Sequence, residues 1–531
     1  MQFNLMQCVG QHQLAEADER LVKLLDPPEN SWYDESRCCL TGTREDVIKR
    51  ILDWSTSESD SSRLYWLYGV AGCGKSSVAT SVAQELQRQK VLSFSFFCTR
   101  DGPERRRAVR IIRSLAYYLA KAIEPFRKIL LRILGKDSSV LGWPTRNQIK
   151  ALLVDPLEEI SGSTSPEMIV IVLDALDECD ENEIVSESLV KITELAPWIR
   201  LIVTSRPLQG IRESLESSGA LMTAHDLFST SAEEDILVYT KHRFEVDRNL
   251  ATLRSVVTSE EIKELSRKAS GLFIWIAVVC SFISQRKFGR PKLFRDILRS
   301  ANMSDSEKQL DELYMQVLKD ASGSDQIAAN TDDVRLILGL IYVTSKNRPL
   351  PIEVLYAFRP NDYSGLQSEW EEMMRDFGSV LITDNRTRAI RVCHESFLDF
   401  LGDRSRSERF WASPKELEAM MTETCLRIML SGLKFNICKM ETSHLPNGSQ
   451  DLRVNEQIPG ELQYSCLFWL EHLSRCMTGL ASLDPFRETL RKLLCRETSL
   501  YWLEVLSLLS ELREAVIILQ SFTDMLQVRV L

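Results

Sequence analysis

One glycine-rich stretch, GVAGCGKS at 69–76, strongly limits the folds open to this chain. It fits the pattern G-x-x-x-x-G-K-[ST] and stands between an apolar run at 63–68 and an amphipathic stretch that begins at 77. Such a loop needs a strand before it and a helix after it, because its backbone amides and the helix N-terminus together hold phosphate. We therefore predict an α/β P-loop NTPase domain around it, rather than a glycine-rich turn that binds nothing.

Each residue type in the loop has an expected contact with a nucleotide. Glycines let the backbone wrap closely around phosphate oxygens, Lys75 should reach the β- and γ-phosphates, and Ser76 should ligate Mg²⁺. Ser77 follows and is expected at the α-phosphate. The predicted nucleotide-binding residues of the loop are Gly69, Gly72, Cys73, Gly74, Lys75, Ser76 and Ser77. The sequence does not choose between ATP and GTP, since a base pocket is built from scattered apolar and backbone contacts.

Four further apolar runs predict the remaining strands of a parallel sheet. They are short, apolar on both faces and separated by helical patterns, which indicates a sheet with helices on both faces. The runs are VLSFSFFC (91–98), MIVIVLDAL (168–176), IRLIVTSRP (199–207) and LMTAHDL (221–227). After 228 the pattern is helical, and Ser231 and Glu234 predict a capping box for the first of these helices. SVLIT and AIRVCH, on either side of Asp384, predict the hairpin of a winged-helix-like unit.

These changes of pattern divide the chain into five predicted segments. A helical segment comes first, and the P-loop domain, a helical domain, a winged-helix-like domain and a helical region follow. Their predicted bounds are 1–35, 36–227, 228–325, 326–405 and 406–531.

Two strand ends carry the polar residues expected near the metal and the γ-phosphate. Asp174 ends a buried strand and should hold Mg²⁺, directly or through water. Asp177 and Glu178 follow on the turn, where either could orient or deprotonate an attacking water. Arg206, at the end of the next strand, could sense the γ-phosphate. The alternative for the acidic residues is a solvated turn without a ligand.

Composition argues against several other classes of protein. The net charge of −10 gives no support to a nucleic-acid or membrane-surface binder. The most apolar run, at 271–283, is shorter than the roughly 20 residues of a membrane span, so we expect a buried helix there. The 13 cysteines include no CxxC pair, which is typical of a reduced intracellular protein. The first residues lack the pattern of a signal peptide, and we expect a cytoplasmic location.

Taken together, the loop, LDALDE at 173–178 and CHESFLDFL at 393–401 resemble the NACHT group of STAND NTPases, especially its fungal members. The resemblance covers roughly 39–515 and includes CLTGTREDVIKRILDW, SGLFIWIAVVC and LYWLEVLSLL. It implies that Thr43 and Arg44 lie on the adenine side of the nucleotide. It also implies that His394, in the winged-helix-like domain, contacts the bound diphosphate.

The resemblance implies a nucleotide-dependent signalling switch in innate immunity or non-self recognition. ADP or GDP would hold the protein closed, and exchange for the triphosphate, prompted by an unknown protein partner or ligand, would open it to form a homo-oligomer. Slow hydrolysis would reset the switch. The C-terminal repeat array and the N-terminal effector domain of many relatives are not recognised in this chain.

Two other functions stay open on the sequence alone. A metabolic P-loop kinase would need a site for an acceptor substrate, and the helical patterns after 228 offer no obvious one. A pseudo-NTPase scaffold would keep a nucleotide for structure without exchanging it.

Overall fold

The computed structural model describes most of the chain. The described residues are 18–28, 32–57, 61–100, 103–160, 168–217, 221–300, 305–321, 329–440, 454, 456–477, 484–512, 516, 518–520 and 522–523. The chain divides into two compact units, Met1–Leu310 and Asp311–Leu531. The first 17 residues of the predicted segment 1–35, and the predicted boundary at 325, lie outside the described residues. The division into five segments stays a prediction.

A five-stranded parallel sheet forms the centre of the first unit, with the strand order β2-β3-β4-β1-β5. The strands are β1 (Leu64–Tyr68), β2 (Leu92–Phe97), β3 (Ile169–Asp174), β4 (Ile199–Ser205) and β5 (Met222–Asp226). Each of them lies within one of the predicted apolar runs. The predicted parallel sheet is therefore confirmed.

Both faces of this sheet are covered, because alternate residues of its strands belong to two different buried clusters. On β1, Leu64 and Trp66 lie in one cluster, whereas Tyr65 and Leu67 lie in the other. A strand buried on both faces gains from apolar residues at every position, and its sequence is therefore a continuous apolar run.

Helices make up most of the rest of the first unit. They are α1 (18–25), α2 (Glu45–Thr56), α3 (Lys75–Arg88), α4 (Pro103–Arg106), α5 (Ala108–Ala122), α6 (Glu124–Lys136), α7 (Thr145–Ile149), α8 (Asp155–Ile160), α9 (Asn182–Leu195), α10 (Gln209–Glu216), α11 (Glu233–Val246), α12 (Arg248–Ala251), α13 (Ser259–Lys268), α14 (Phe273–Gln285) and α15 (Arg290–Arg299). A π turn, Lys150–Val154, lies between α7 and α8. The buried helix predicted at 271–283 is α14. Among the described residues, no helix is both long enough and apolar enough to cross a membrane.

The predicted capping box at the start of α11 is wrong. The helix begins at Glu233, and its N-cap is Ala232, which has no side-chain oxygen to accept a hydrogen bond. Ser231 lies one residue before the N-cap, outside the position from which a hydroxyl caps a helix. The first turn of α11 instead makes a long-range contact, because Asp235 Oδ2 accepts a hydrogen bond from the amide of Arg44 at 3.2 Å.

The second unit combines helices with one short hairpin, and α16 (Ser306–Ala321) contains the boundary between the units. Its other elements are α17 (Ala329–Ser345), α18 (Ile352–Ala357), α19 (Gln367–Asp376), β6 (Leu381–Thr383), β7 (Ile390–Val392), α20 (Glu395–Gly402), α21 (Arg404–Ser407), α22 (Pro414–Gly432), α23 (Gly460–Met477), α24 (Asp484–Leu494) and α25 (Thr498–Leu508). β6 and β7 pair antiparallel, as the sequence predicts for this hairpin.

A buried polar cluster joins α22 to α23 in this unit. His472 Nδ1 lies 2.5 Å from Glu418 Oε2, and His472 Nε2 lies 2.9 Å from the hydroxyl of Tyr464. Asn347 and Arg475 complete the cluster: Asn347 Nδ2 donates to Tyr464, and Arg475 Nη2 donates to Asn347 Oδ1. Leaving one buried polar group of such a cluster without its partner costs about 1–3 kcal/mol, so these contacts favour one specific packing of the two helices.

Candidate functional site

The glycine-rich loop joins β1 to α3 and has a backbone that only glycine adopts easily. Gly72 has φ +80° and Gly74 has φ +99°, in the left-handed region. Gly74 is also the N-cap of α3, so the amino end of that helix opens on the loop. A Cβ added at Gly69 would lie 3.0 Å from Cys73 Sγ, closer than an ordinary van der Waals contact, so a side chain there would be crowded. Such a loop at a helix N-terminus is suited to bind an anion.

Two carbonyl groups of the loop are bound by other parts of the first unit. The amide of Ile274, at the start of α14, donates to Gly72 O at 3.2 Å, and Arg44 Nη2 donates to Cys73 O at 3.0 Å. In a trans peptide the N–H points away from the C=O. The N–H groups of Cys73 and Gly74 therefore point away from α14 and Arg44, and they can turn to a phosphate.

Lys75 keeps its ammonium group over the start of the loop. Nζ donates hydrogen bonds to Gly69 O at 2.8 Å and to Val70 O at 2.9 Å. The positive charge is thus next to the backbone groups that would surround the β- and γ-phosphates. Ser77 lies in the first turn of α3, and its carbonyl accepts a hydrogen bond from Ser81 Oγ at 3.0 Å.

The two predicted metal residues, Ser76 and Asp174, lie near each other. Thr204 Oγ1 donates to Asp174 Oδ1 at 2.5 Å, and the Ser76 hydroxyl is near enough to the same carboxylate to lower its pKa. Parallel pairing of β3 with β4 places Asp174 at the level of Thr204, beside the end of β1. A hydroxyl and a carboxylate oxygen are suitable ligands for Mg²⁺, which takes its other ligands from water and phosphate. The donor atoms present fit this metal.

Burial raises the pKa of the Asp174 carboxyl above its ordinary value. The hydroxyls of Thr204 and Ser76 and the positive charges of Arg37 and Lys75 act in the opposite direction. The ionised carboxylate is therefore kept at a cost in a dry site. A bound divalent cation would stabilise the ionised carboxylate and offset that cost.

We expect Asp174→Asn to stabilise the nucleotide-free protein at neutral pH by on the order of 1 kcal/mol, because the amide keeps the hydrogen bonds without a buried charge. A pKa that is raised in the folded state makes the ionised form a cost, which grows as pH rises above the ordinary Asp range and disappears below it. The gain should therefore fall to zero as the pH is lowered through that range. Urea unfolding at several pH values measures it.

Asp53→Asn, on the exposed side of α2, is the matched control for this substitution. The same Asp174→Asn protein should lose the dependence of nucleotide affinity on Mg²⁺. A lower urea midpoint at neutral pH for Asp174→Asn, with Asp53→Asn unchanged, would contradict the argument from burial.

Asp177 and Arg206 are bound to each other. The amide of Arg206 donates to Asp177 Oδ1 at 3.0 Å, and Arg206 Nε lies 3.1 Å from Asp177 Oδ2. The Asp177 side chain is only 4% exposed, and both of its oxygens are engaged. Glu178 is half-buried at the end of the 3-10 turn Leu176–Glu178. Asp177 could take the general-base role only if Arg206 released it, and the choice between the two acids stays a prediction.

Thr43 and Arg44 lie just before α2, and both are buried. Thr43 Oγ1 donates to Leu40 O at 2.6 Å. The guanidinium of Arg44 lies 3.8 Å from Asp235 Oδ2 and 5.5 Å from the ring centroid of Phe273, and burial lowers its pKa. Arg44 thus links the segment before α2 to the loop and to α11 and α14. The contact of these two residues with adenine stays a prediction.

His394 belongs to the second unit, where it is the N-cap of α20. Its Nδ1 accepts a hydrogen bond from the amide of Ser396 at 3.1 Å. The neutral ring therefore carries its proton on Nε2, which makes that atom a donor. The predicted contact of His394 with a diphosphate stays a prediction.

Sequence reasoning did not place two residues beside Asp174: it gave Thr204 only as part of the polar strand end that could sense the γ-phosphate, and it gave Arg37 no role. The Thr204 hydroxyl holds its carboxylate, and the exposed Arg37 favours its ionised form. A polar residue at the end of an apolar strand is a signal that could have identified Thr204 with the metal site. Arg37 stands in the 3-10 turn Glu35–Arg37, outside any motif.

Two sequence comparisons find similar proteins. Residues 42–206 match the family model described as Nephrocystin 3, N-terminal. Over 510 residues the chain is 25% identical to the vegetative incompatibility protein HET-E-1 of Podospora anserina, and the match covers 88% of this chain and 35% of that protein. The chain therefore spans about a third of the length of this relative.

Similar solved structures include an archaeal ORC1 protein and the Drosophila ORC. The structure of the Aeropyrum pernix ORC1 protein in complex with DNA has 14% identity and a TM-score of 0.25, covering 69% of this chain and 91% of that one. The Drosophila ORC bound to GC-rich DNA and Cdc6 has 10% identity and a TM-score of 0.23, covering 90% of this chain and 69% of that one. Both TM-scores are low, and the fold class rests on the strand order and the phosphate loop.

Proposed function

We propose that this chain, a NACHT-type NTPase of the fungal kind, works as a nucleotide-dependent signalling switch. It binds ATP or GTP with Mg²⁺ at the glycine-rich loop, is closed with the diphosphate and opens to self-assemble with the triphosphate. The observation that carries the proposal is the meeting of Ser76, Asp174 and Thr204 beside the loop that holds Lys75. Burying a carboxylate is unfavourable, and a glycine-rich turn that binds nothing would not need one beside it.

The residues of the site divide the work of binding and hydrolysis. Loop amides and the start of α3 hold the polyphosphate, and Lys75 neutralises part of its charge. When Mg²⁺ is bound, Ser76 and Asp174 would hold it, and it would neutralise charge between the β- and γ-phosphates. Glu178 would orient or deprotonate the attacking water. Arg206, which Asp177 positions, would respond to the γ-phosphate.

Hydrogen bonds within the first unit connect the phosphate loop to helices α11 and α14. Gly72 O and Cys73 O are bound by Ile274 of α14 and by Arg44, and Arg44 also contacts Asp235 of α11. A change in loop conformation when diphosphate is exchanged for triphosphate would alter these contacts directly. The proposed switch would then act on α11 and α14 first.

The biological role is proposed from the relative's name. HET-E-1 is described as a vegetative incompatibility protein. We therefore propose a role in non-self recognition or innate immunity, in the cytoplasm, with an unknown protein partner or ligand as the trigger. Activation would produce a homo-oligomer.

One observation favours a second candidate function, a scaffold that binds nucleotide without hydrolysing it. Asp177, one of the two acids that could act on water, has both oxygens bound by Arg206. If Glu178 does not act as a base either, the site holds a nucleotide and turns over none. A nucleotide that stays bound to the purified protein and never exchanges would support this candidate.

The switch is tested by the effect of the nucleotide on the size of the full chain. We expect a monomer with diphosphate and a larger assembly with a non-hydrolysable triphosphate, measured by light scattering, after the retained nucleotide is identified by mass. His394→Ala should release diphosphate at least several-fold faster, because Nε2–H would no longer donate to it. His242→Ala, on α11, is the control substitution. One size in both states, with an unchanged release rate in His394→Ala, would refute the switch.

A further inference from the structure

Phe228 is an aromatic side chain that stays partly exposed beside the phosphate loop. It follows β5, and the residue is 37% accessible to solvent. A Cβ added at Gly69, the first residue of the loop, would lie 3.4 Å from the Phe228 amide nitrogen. A Cβ at Gly271 would lie 3.1 Å from Cε2 of the ring. The backbone of Phe228 therefore lies beside the first residue of the loop, and its ring lies beside Gly271, where a glycine leaves room for it.

The strand order fixes the direction in which a nucleotide lies across the loop. Asp174 and Thr204 end β3 and β4, which lie on one side of β1, whereas β5 lies on the other side. Asp174 would hold Mg²⁺, which would neutralise charge on the terminal phosphates, so we place that end of the nucleotide near Asp174. The α-phosphate, the ribose and the base must then extend toward β5. The residues after β5, including Phe228, are the first that the base would meet.

The side chains near Phe228 are committed to other contacts. Arg44 Nη1 lies 3.5 Å from Thr230 O, which ties the segment before α2 to the loop that carries Phe228. The Thr43 hydroxyl is bound to Leu40 O, and His225 contacts Tyr65 and Thr230 with its two nitrogens. On the side of the loop next to β5, the Phe228 ring is therefore the group that we expect to contact a flat, weakly polar ligand.

We propose that the ring of Phe228 stacks on the purine base of the bound nucleotide. This inference rests on the proposed function, since it requires a nucleotide at the loop. Every base has a π-face, and stacking on an aromatic ring tolerates different bases. Phe228 therefore contributes affinity for both ATP and GTP without selecting between them.

The test compares ligands that share the phosphates but differ in the base. Binding of Mg²⁺-ATP, Mg²⁺-GTP and Mg²⁺-tripolyphosphate to the nucleotide-free full chain is measured by calorimetry. Phe228→Ala should weaken both nucleotides by about 5- to 150-fold, the range for the loss of one stacked base. It should leave tripolyphosphate binding unchanged. Phe228→Trp should keep nucleotide affinity, and Phe288→Ala, at a phenylalanine that is 88% exposed, should have no effect.

The outcomes separate this inference from the proposed function. Wild-type affinity of Phe228→Ala for both nucleotides would overturn the stacking and leave nucleotide binding intact. An equal loss for nucleotides and tripolyphosphate would also overturn it, because the ring would then act on the loop rather than on the base. A wild-type chain that binds none of the three ligands would overturn the proposed function itself.

Discussion

Lys75→Ala is expected to weaken binding of Mg²⁺-nucleotide by about 30- to 5,000-fold, which is the usual cost of removing one partner of a buried hydrogen-bonded charge pair. The ammonium of Lys75 is held 2.8 and 2.9 Å from two carbonyl oxygens at the start of the loop. Without it, the phosphates would still meet loop amides and a helix N-terminus but no neighbouring cation of the loop. Calorimetry with ATP and GTP measures the loss.

The control for this prediction is Lys49→Ala, which removes an exposed lysine of α2 and should leave affinity unchanged. Circular dichroism and the urea midpoint would show that Lys75→Ala still folds, since its ammonium is replaced at the carbonyls by water. A folded Lys75→Ala protein with wild-type affinity would remove the loop from the nucleotide site.

The sheet and the loop could be predicted from the sequence because their signals are local. A strand such as β3, buried at all its positions, has to be apolar throughout, and the glycines at 72 and 74 are required by their positive φ angles. The order of the elements along the chain then predicts that Ser76 and Asp174 lie at the same edge of the sheet. Their proximity in the structure agrees with that topology.

Helix α19 shows the limit of local signals. Residues 367–376, QSEWEEMMRD, are mostly polar, and only Trp370 and Met373 are buried. Two buried residues give too weak a helical period to stand out from a loop, so the sequence does not predict this helix. The capping box at Ser231 was also predicted from local sequence alone. In the structure, the first turn of α11 is bound instead by a residue far away in the sequence, because Asp235 accepts a hydrogen bond from Arg44.

The pairing of Asp177 with Arg206 could not be predicted for a different reason. Both residues were predicted to act on the nucleotide, one on water and one on the γ-phosphate. Their separation in sequence gives no indication that they would bind each other, since this depends on the register of β3 against β4. The same register brings Thr204 to Asp174. The structure thus brings the predicted residues together, but it pairs Asp177 with Arg206 and adds Thr204 beside Asp174.

Because Arg206 binds Asp177, we expect Glu178 to be the general base. Glu178→Gln should therefore lower the rate of nucleotide hydrolysis by about 100- to 10,000-fold, the usual contribution of a general base. Glutamine keeps the shape of the half-buried side chain but cannot take a proton, so nucleotide affinity should stay within a few-fold of wild type. Phosphate release in a single turnover at saturating Mg²⁺-ATP measures the rate. Glu183→Gln, in the first turn of α9, is the matched control.

Asp177→Asn should instead lower the urea midpoint, because the charge of Arg206 would lose its partner. A wild-type rate in Glu178→Gln with a large loss in a folded Asp177→Asn protein would assign the base to Asp177, and Arg206 would then have to release it when nucleotide binds.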